Sequence, residues 1–542
     1  MTNTLAPAAQ PEVPKPAFAP PAPPLRLERR HWLAALAVLF VFFAPYQTLV
    51  QTVLTDDAVR KGLNIDEYDM IWQQVGYSVA LTYGLFTGMW LSSRFGARYT
   101  LTLGLFGFAL GNLLCGAATG LGSFVLGRFV DGFGKTMVMG IGRTTLYKQF
   151  DRLLLVAIGF YGIFAYGTRN ATPLLMAELD VHLSWRWMYW FYVPVALLAM
   201  VLVWRYLLPD RPPNPTRLRI DWLAVTIFTG WTVAVTFAFS WYRKWGGWTS
   251  NEFAVMVLLC MTLPLVLVVW LGSNFSPDEH LKRLLRTRVF ILGFITRGLM
   301  LTHMVAVLTI VGLYLTQLRD YPRITAGWLM SATTLAMAGT TFLTTWFHRR
   351  ALRHVWLIVG VVGTAICTWW LSSMDNFTPK EHIALNLTCW GAFLGLLPPA
   401  FLFDEVEALN PKDALYALTL SVVGLVTPII TVPTMTGTII KVWSDRALDT
   451  YRLNLSENRP SVPQATDRIG EYYRQRGLGG PAARHETSNV LGTFATLEST
   501  AVGFQSGLRF LSLTMLIFGL TVSLLLWRAA RDLGAPPGSG YT

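Results

Sequence analysis

The chain has 542 residues, 53% of them hydrophobic and only 14% charged, with a formal net charge of +13. A soluble domain carries about 25% charged residues, so this composition excludes most soluble enzyme classes and suits walls that face lipid. The basic excess calls for no nucleic acid, because Lys and Arg cluster in short loops between apolar runs, where they set membrane orientation.

Residues 1–30 are rich in Pro and Ala and lack an apolar centre, which predicts a disordered cytoplasmic tail rather than a cleaved signal peptide. About fourteen apolar runs follow, each about long enough to cross a bilayer, and helices are expected because every backbone polar group must be satisfied internally. The first eight are Trp32–Leu54, Met70–Leu91, Thr100–Ala118, Phe124–Leu146, Leu153–Leu179, Trp187–Leu208, Trp222–Trp241 and Phe253–Leu271. The rest are Val289–Leu315, Ala326–Phe347, Val355–Leu371, Ile383–Phe403, Ala414–Ile440 and Phe510–Trp527. With both termini cytoplasmic, inner segments hold about 22 Lys and Arg and short outer loops about 8, as the positive-inside rule expects. The four cysteines lie in apolar runs without CxxC spacing and read as small core residues.

The polar segment Lys441–Arg509 should sit outside. Pro460, Pro463, Gly477, Gly479 and Gly480 punctuate it, as in a loosely packed surface loop. Val490, Leu491, Phe494, Leu497 and Val502 have partly helical spacing, which leaves open a docking element for an extracytoplasmic partner.

Three blocks carry a resemblance. The loop after the second span reads GMWLSSRFGAR, where Gly88 and Gly96 allow a sharp reversal and Arg94 and Arg98 meet helix ends and inner-leaflet phosphates. Span four opens GRFVDGFGK, placing Gly132 and Gly134 after Arg128 and Asp131. The entrance to span six reads SWRWMYWFYVP, with Trp185, Arg186 and Trp187. In this order the blocks resemble the major facilitator superfamily, in particular the fourteen-span drug/proton antiporters of the EmrB/QacA type.

The resemblance implies an all-α integral membrane protein of the inner (plasma) membrane. It implies six-helix bundles over residues 31–208 and 289–542, with two extra central spans over 209–288. It also implies alternating access and proton-coupled export of small toxic compounds, with the proton gradient as driving force and no cofactor. In a double-membrane bacterium it implies a periplasmic adaptor and an outer-membrane channel, which residues 441–509 would contact. The chain departs from the pattern at three places. Gln47 stands where the first span usually carries an acid, and Ser93 stands where the loop signature has one. TPLLMA keeps only Pro173 of a run of small residues, so Leu174, Leu175 and Met176 should alter a close helix contact.

Arg128, Asp131, Lys135 and Arg143 fall within an arc of roughly 120° on span four. A charge at mid-bilayer costs about 2.5–3.5 kcal/mol on insertion scales, so this face must line a cavity or a partner helix. Asp131 can pair with Lys135 and Arg128, at helical spacings of four and three. Arg143, near the inner end, is expected to snorkel. Arg169 and Glu178 lie in span five, and Arg297 and His303 in span nine. His303 and Asp131 are the candidate proton carriers, with a neutral, hydrogen-bonded His303 as the other reading. Arg169 and Arg297 could instead bind carbonyls at helix breaks, and Lys135 could be a static brace for Asp131.

Set against one deep acid, Arg128, Lys135, Arg169 and Arg297 predict a basic cavity and an anionic or zwitterionic amphipathic substrate. Gly134-Lys135-Thr136 is similar to the end of a P-loop, but Phe129 occupies the required glycine position, which excludes ATP binding there. Two other readings remain: a sensor or assembly partner that has lost transport, and an organic-anion importer.

Overall fold

The structure is a computed structural model that describes residues 33, 37, 40–43, 45, 56–66, 68–149, 161, 172–207, 219–273, 279–347, 350–375, 377–407, 414–456 and 461–532. The tail 1–30, Gln47 and Arg169 lie outside the described residues, as do most of spans one and five. All regular structure among the described residues is helical, and nine stretches are long and apolar enough to cross a membrane.

A short helix α1, Asp56–Leu63, precedes α2, Ile71–Phe95. The chain then reverses at Gly96, whose φ of +85° is open to glycine and whose N–H donates to the Ser92 carbonyl at 3.0 Å. Helices α3, Ala97–Gly116, and α4, Leu121–Gln149, follow. The mutual packing of α2, α3 and α4 depends on glycines. A Cβ on Gly134 would lie 2.3 Å from the Phe108 nitrogen, and one on Gly111 would lie 2.1 Å from the Asp131 nitrogen. Gly88 and Gly132 press in the same way on Met137 and Tyr77.

Helix α5, Thr172–His182, leads to α6, Trp187–Tyr206, which is interrupted at Phe191. Next come α7, Trp222–Ser240, and α8, Asn251–Gly272. Asp221 caps α7 by accepting from the Ala224 nitrogen at 3.0 Å, and it accepts from Trp270 Nε1 of α8 at 2.7 Å, which ties the pair together. Along α8 only Phe253 is buried, so this helix presents its apolar surface outward.

The second half runs through α9, Glu279–Arg286, and α10, Arg288–Leu313, which continues in a π turn over Tyr314–Leu318. Helices α11, Arg323–Trp346, and α12, Arg350–Leu371, come next. The twelfth span, expected to be continuous, divides into α13, Lys380–Leu394, and α14, Leu397–Glu407. Pro398 lacks an N–H and its ring opposes the carbonyl four residues back, which ends α13 at that point.

Helix α15, Ala414–Ser456, has 43 residues and does not stop at Ile440. Helix α16, Ser461–Gln475, and α17, Gly480–Thr514, complete the segment, and a π turn at Met515–Gly519 joins α17 to α18, Leu520–Asp532. The reading of 441–509 as a loosely packed loop is therefore corrected: the described residues form helical extensions of the last two spans and a helix between them. Gly477–Gly480 mark the joint between α16 and α17, and Pro463 falls in the first turn of α16, where its missing N–H breaks no helical bond. One large hydrophobic core draws residues from both halves, including Met139, Leu146, Met304, Leu418 and Phe504. A smaller core joins Ala58 and Val59 of α1 to Phe124, Trp185 and Tyr189.

Candidate functional site

Helix α4 presents three charges to the interior in successive turns. Arg128, Asp131 and Lys135 are each at most 2% exposed. Arg128 Nη1 lies 3.2 Å and Lys135 Nζ 3.0 Å from Asp131 Oδ2, the pairs that the helical spacing predicts. Asn112 Nδ2 of α3 donates to the other oxygen, Oδ1, at 2.9 Å. The close approach at Gly111 lets α3 reach the carboxylate.

Helix α2 completes the shell. Tyr77 accepts from Lys135 Nζ at 2.7 Å, and its ring lies under the Arg128 guanidinium at 3.9 Å. Gln73 Oε1, one turn earlier, accepts from Arg128 Nε at 3.2 Å. Beside this cluster, Gln73 Nε2 and Asn112 Oδ1 are buried without a hydrogen-bond partner among the described residues. The sequence reading missed Tyr77, Gln73 and Asn112. Two polar residues four apart in α2, and an amide inside an apolar run, were the available signals.

A further acid approaches from outside the spans. Asp56, at the start of α1, is half-buried and feels the Arg128 charge. Burial raises its carboxyl to about 7, and the Arg128 charge opposes that rise. Its neighbour Asp57 is held below the usual carboxylate range, first by a hydrogen bond from Lys61 and also by Arg60.

The remaining predicted charges lie elsewhere. Arg297 Nη1 donates to the Ser421 carbonyl at 3.1 Å, and its guanidinium stacks 5.1 Å over Phe401. The Ser421 hydroxyl accepts from Arg143, so two arginines from opposite halves meet on one residue of α15. Arg143 is fully buried, with its guanidinium over the Tyr147 and Tyr161 rings, and does not snorkel. These aromatic faces and the Ser421 hydroxyl take the place of lipid phosphate. Arg143 lies about 22 Å along the helix from Arg128, so the structure does not gather Arg297 with Arg128 and Lys135. His303 is also separate, with Nε2 3.0 Å from Thr368 Oγ1 and its ring beside Trp390.

The motif residues hold helices rather than line a site. Arg94 stacks on Trp90, and Arg98 stacks on Trp204 while donating to its carbonyl. Trp185 is buried edge-on against Phe124 and Tyr189, and Arg186 donates to the Ala118 carbonyl at 3.2 Å. Trp187 is exposed. At Pro173 the close contact expected of small residues is supplied from the other side: a Cβ on Gly327 of α11 would lie 2.7 Å from the Leu174 Cα.

The halves touch at both ends. At the α1 end, Arg323 of α11 pairs with Asp180 of α5 and, at 3.3 Å, with Asp57. At the opposite end, Arg143 and Gly140 of α4 meet Ser421 and Thr419 of α15. Helix α7 spans the seam. Thr226 bonds Tyr83 of α2 at 2.8 Å, and the Phe239 carbonyl accepts from Thr438 of α15 at 2.7 Å.

Comparison with known proteins gives one family. A model of the Major Facilitator Superfamily matches residues 31–431. Over 392 residues the chain is 23% identical to the "Probable transport protein HsrA" of Haemophilus influenzae, a match covering 70% of this chain and 80% of that protein. It is 26% identical over 270 residues to the "Putative multidrug resistance protein MdtD" of Pectobacterium atrosepticum, covering 48% of this chain and 55% of MdtD, about half its length. The crystal structure of an auto-inhibited POT family peptide transporter superposes with a TM-score of 0.55 at 12% identity, covering 95% of this chain and 98% of that one. At that identity the likeness shows the fold alone.

Proposed function

The chain belongs to the Major Facilitator Superfamily and is a multi-pass membrane transporter rather than an enzyme; from that premise we propose that it is a proton-coupled exporter of small zwitterionic amphipathic compounds, working by alternating access. In this reading the chain crosses the cell (inner) membrane fourteen times with both termini cytoplasmic. Residues 31–208 and 289–542 are the two bundles, and 209–288 are the added central pair.

The observation that carries the reading is the buried Arg128–Asp131–Lys135 cluster. Ionisable groups inside a membrane are costly and mark substrate or proton paths. Asp131 is the counter-ion of both cations. A cargo ammonium needs Asp131 ionised and therefore competes with a proton, which is the logic of exchange. A cargo carboxylate meets Arg128 and Lys135. Gln73 Nε2 and Asn112 Oδ1 supply a donor and an acceptor for its polar groups. The printed names of the relatives, a transport protein and a multidrug resistance protein, support this class of activity.

The same geometry favours one second reading. A cargo with a carboxylate alone needs the two cations released, which happens when Asp131 takes a proton. Proton and anion then bind together, and the chain is an organic-anion importer.

One experiment separates them. The full chain in proteoliposomes is given aromatic zwitterions, carboxylates and quaternary amines while internal pH is followed. Exchange and co-transport give pH changes of opposite sign. Asp131→Asn should abolish proton movement in protein that still folds and reconstitutes, with a lowered thermal transition because two buried cations lose their counter-ion. A clear preference for quaternary amines overturns the charge assignment, and no flux with any compound leaves the non-transporting partner reading. For an adaptor, we assign the contact to the helices beyond the membrane, where Val490, Phe494 and Leu497 form an exposed face of α17. Crosslinking from Phe494 that recovers no periplasmic protein counts against that assignment.

A further inference from the structure

We propose that the end of the second half where α10 and α12 begin and α18 finishes binds an acidic phospholipid, its headgroup phosphate held by Arg528 and Arg531 and an acyl chain lying along Leu524 and Trp527. The inference goes beyond the exporter reading, because it involves no cargo and no proton movement.

Contacts between helices fix which ends lie together. Gln505 Nε2 of α17 donates to the Met374 carbonyl at 3.4 Å, and Ser512 Oγ donates to the Ala365 carbonyl of α12 at 2.7 Å. A Cβ on Gly519, at the joint of α17 and α18, would lie 3.1 Å from Val361 of α12 and 3.7 Å from Leu299 of α10. A Cβ on Gly507 would meet Ile310. Residue numbers thus rise along α17 and α18 as they fall along α10 and α12, so the packing is antiparallel. At about 1.5 Å per residue, Arg528 and Arg531 of α18, Arg288 of α10 and Arg353 of α12 lie about 12–18 Å from the Gly519 level, all in one direction.

These helices therefore finish in one basic layer, to which α9 adds Arg286 just before Arg288. Arg353 is buried and engaged with a partner. Arg286, Arg288, Arg528 and Arg531 are exposed, and none of their side chains makes a hydrogen bond, ion pair or ring contact among the described residues.

Leu524, Trp527, Arg528 and Arg531 are spaced as one face of α18, and among the described residues they line an open recess of about 250 Å³. Their order follows that of a lipid. Leu524 lies towards the bilayer interior, Trp527 is a ring of the kind that favours the headgroup boundary, and the arginines stand one turn apart beyond it. A guanidinium fork matches phosphate oxygens. A free anion would engage the arginines but leave Leu524 and Trp527 bare, at 38% and 43% exposed. Charge selects the headgroup: choline would bring a further cation into the basic layer, whereas a glycerol headgroup leaves the phosphate charge for the arginines. Arginines that only set orientation require no apolar recess on their own face.

The test is native mass spectrometry of the full chain with phosphatidylglycerol, phosphatidylcholine or inorganic phosphate added. Phosphatidylglycerol should bind in preference to phosphatidylcholine. Arg528→Gln with Arg531→Gln should weaken phosphatidylglycerol by about 30-fold, about 5-fold for each arginine. The lysine pair Arg528→Lys with Arg531→Lys should keep most of the affinity. Arg446→Gln with Arg468→Gln removes the same charge from exposed positions on α15 and α16 and should change nothing. Trp527→Ala should weaken the lipid and leave inorganic phosphate unaffected. If the glutamine pair does not fold, Trp527→Ala must still give that split. Unchanged binding in Arg528→Gln with Arg531→Gln, or an equal loss in the Arg446 and Arg468 pair, overturns the site. Displacement of the lipid by an equal concentration of inorganic phosphate overturns the lipid assignment in favour of a free anion.

Discussion

Asp131 uses both carboxylate oxygens, one for two cations and one for an amide. Removing one partner of such a buried set leaves a charge with less compensation and costs about 3–5 kcal/mol. Lys135→Met should therefore lower the stability of the purified protein by that order in detergent unfolding. The double variant Lys135→Met with Asp131→Leu should lose more, because Arg128 is then buried without its carboxylate. At this scale the sequence was half legible. Spacing along one helix predicts the contacts among Arg128, Asp131 and Lys135, since they depend only on helical pitch. Tyr77, Gln73 and Asn112 come from other helices and depend on packing, which spacing does not reveal. Arg143 shows the same limit: it was expected to snorkel, and the rings and hydroxyl that bury it instead come from packing.

Among the elements, α2, α3 and α4 approach closely enough that glycine is required at particular contacts. Gly134→Ala would place a methyl 2.3 Å from the Phe108 nitrogen, a backbone atom that cannot swing aside. Overpacking of this kind costs about 1–3 kcal/mol. Gly339→Ala on the exposed face of α11 meets nothing within 4 Å and should be neutral or stabilising by up to about 1 kcal/mol. Comparing the two melting temperatures tests the claim. Apolar runs located most of the helices well, because lipid selects composition directly. They failed over 441–509, where the helices continue through a polar, charged sequence. Polar composition there says little about backbone conformation, and among the described residues Gly477–Gly480 mark the joint between α16 and α17.

For the whole molecule, the two halves are held at both ends of the seam. Lys61 and Arg60 keep Asp57 below the usual carboxylate range, so its folded-state pKa is depressed. The stability this group contributes is full above its ordinary value of 3.8 and is lost only as pH falls through the lower folded value. The clasp to Arg323 therefore stays charged across neutral pH. Exposed ion pairs are worth about 0.2–1 kcal/mol each, so removing the two that Arg323 makes by Arg323→Gln should loosen the α1 end by about 2- to 30-fold in opening equilibrium. Ala326, buried just inside that clasp, gives the measurement. In a variant without native cysteines, Ala326→Cys should react with a membrane-impermeant maleimide faster by that factor when Arg323→Gln is added. An unchanged rate would mean that α5 and α11 hold this end without the clasp.

Helix α15 carries Ser421, where Arg143 and Arg297 meet, and runs unbroken to Ser456. The distance between these points is about 50 Å along one rod. Pro428 and Pro433 lie within the helix between the junction and the projection, and a change of angle there of about 10° displaces the tip by about 4 Å over the last 24 Å. The projection is thus a lever whose position reports on the arginine junction. A fluorophore at its tip becomes a gauge of which way the transporter faces, and a binder clamped there becomes a brake on the cycle.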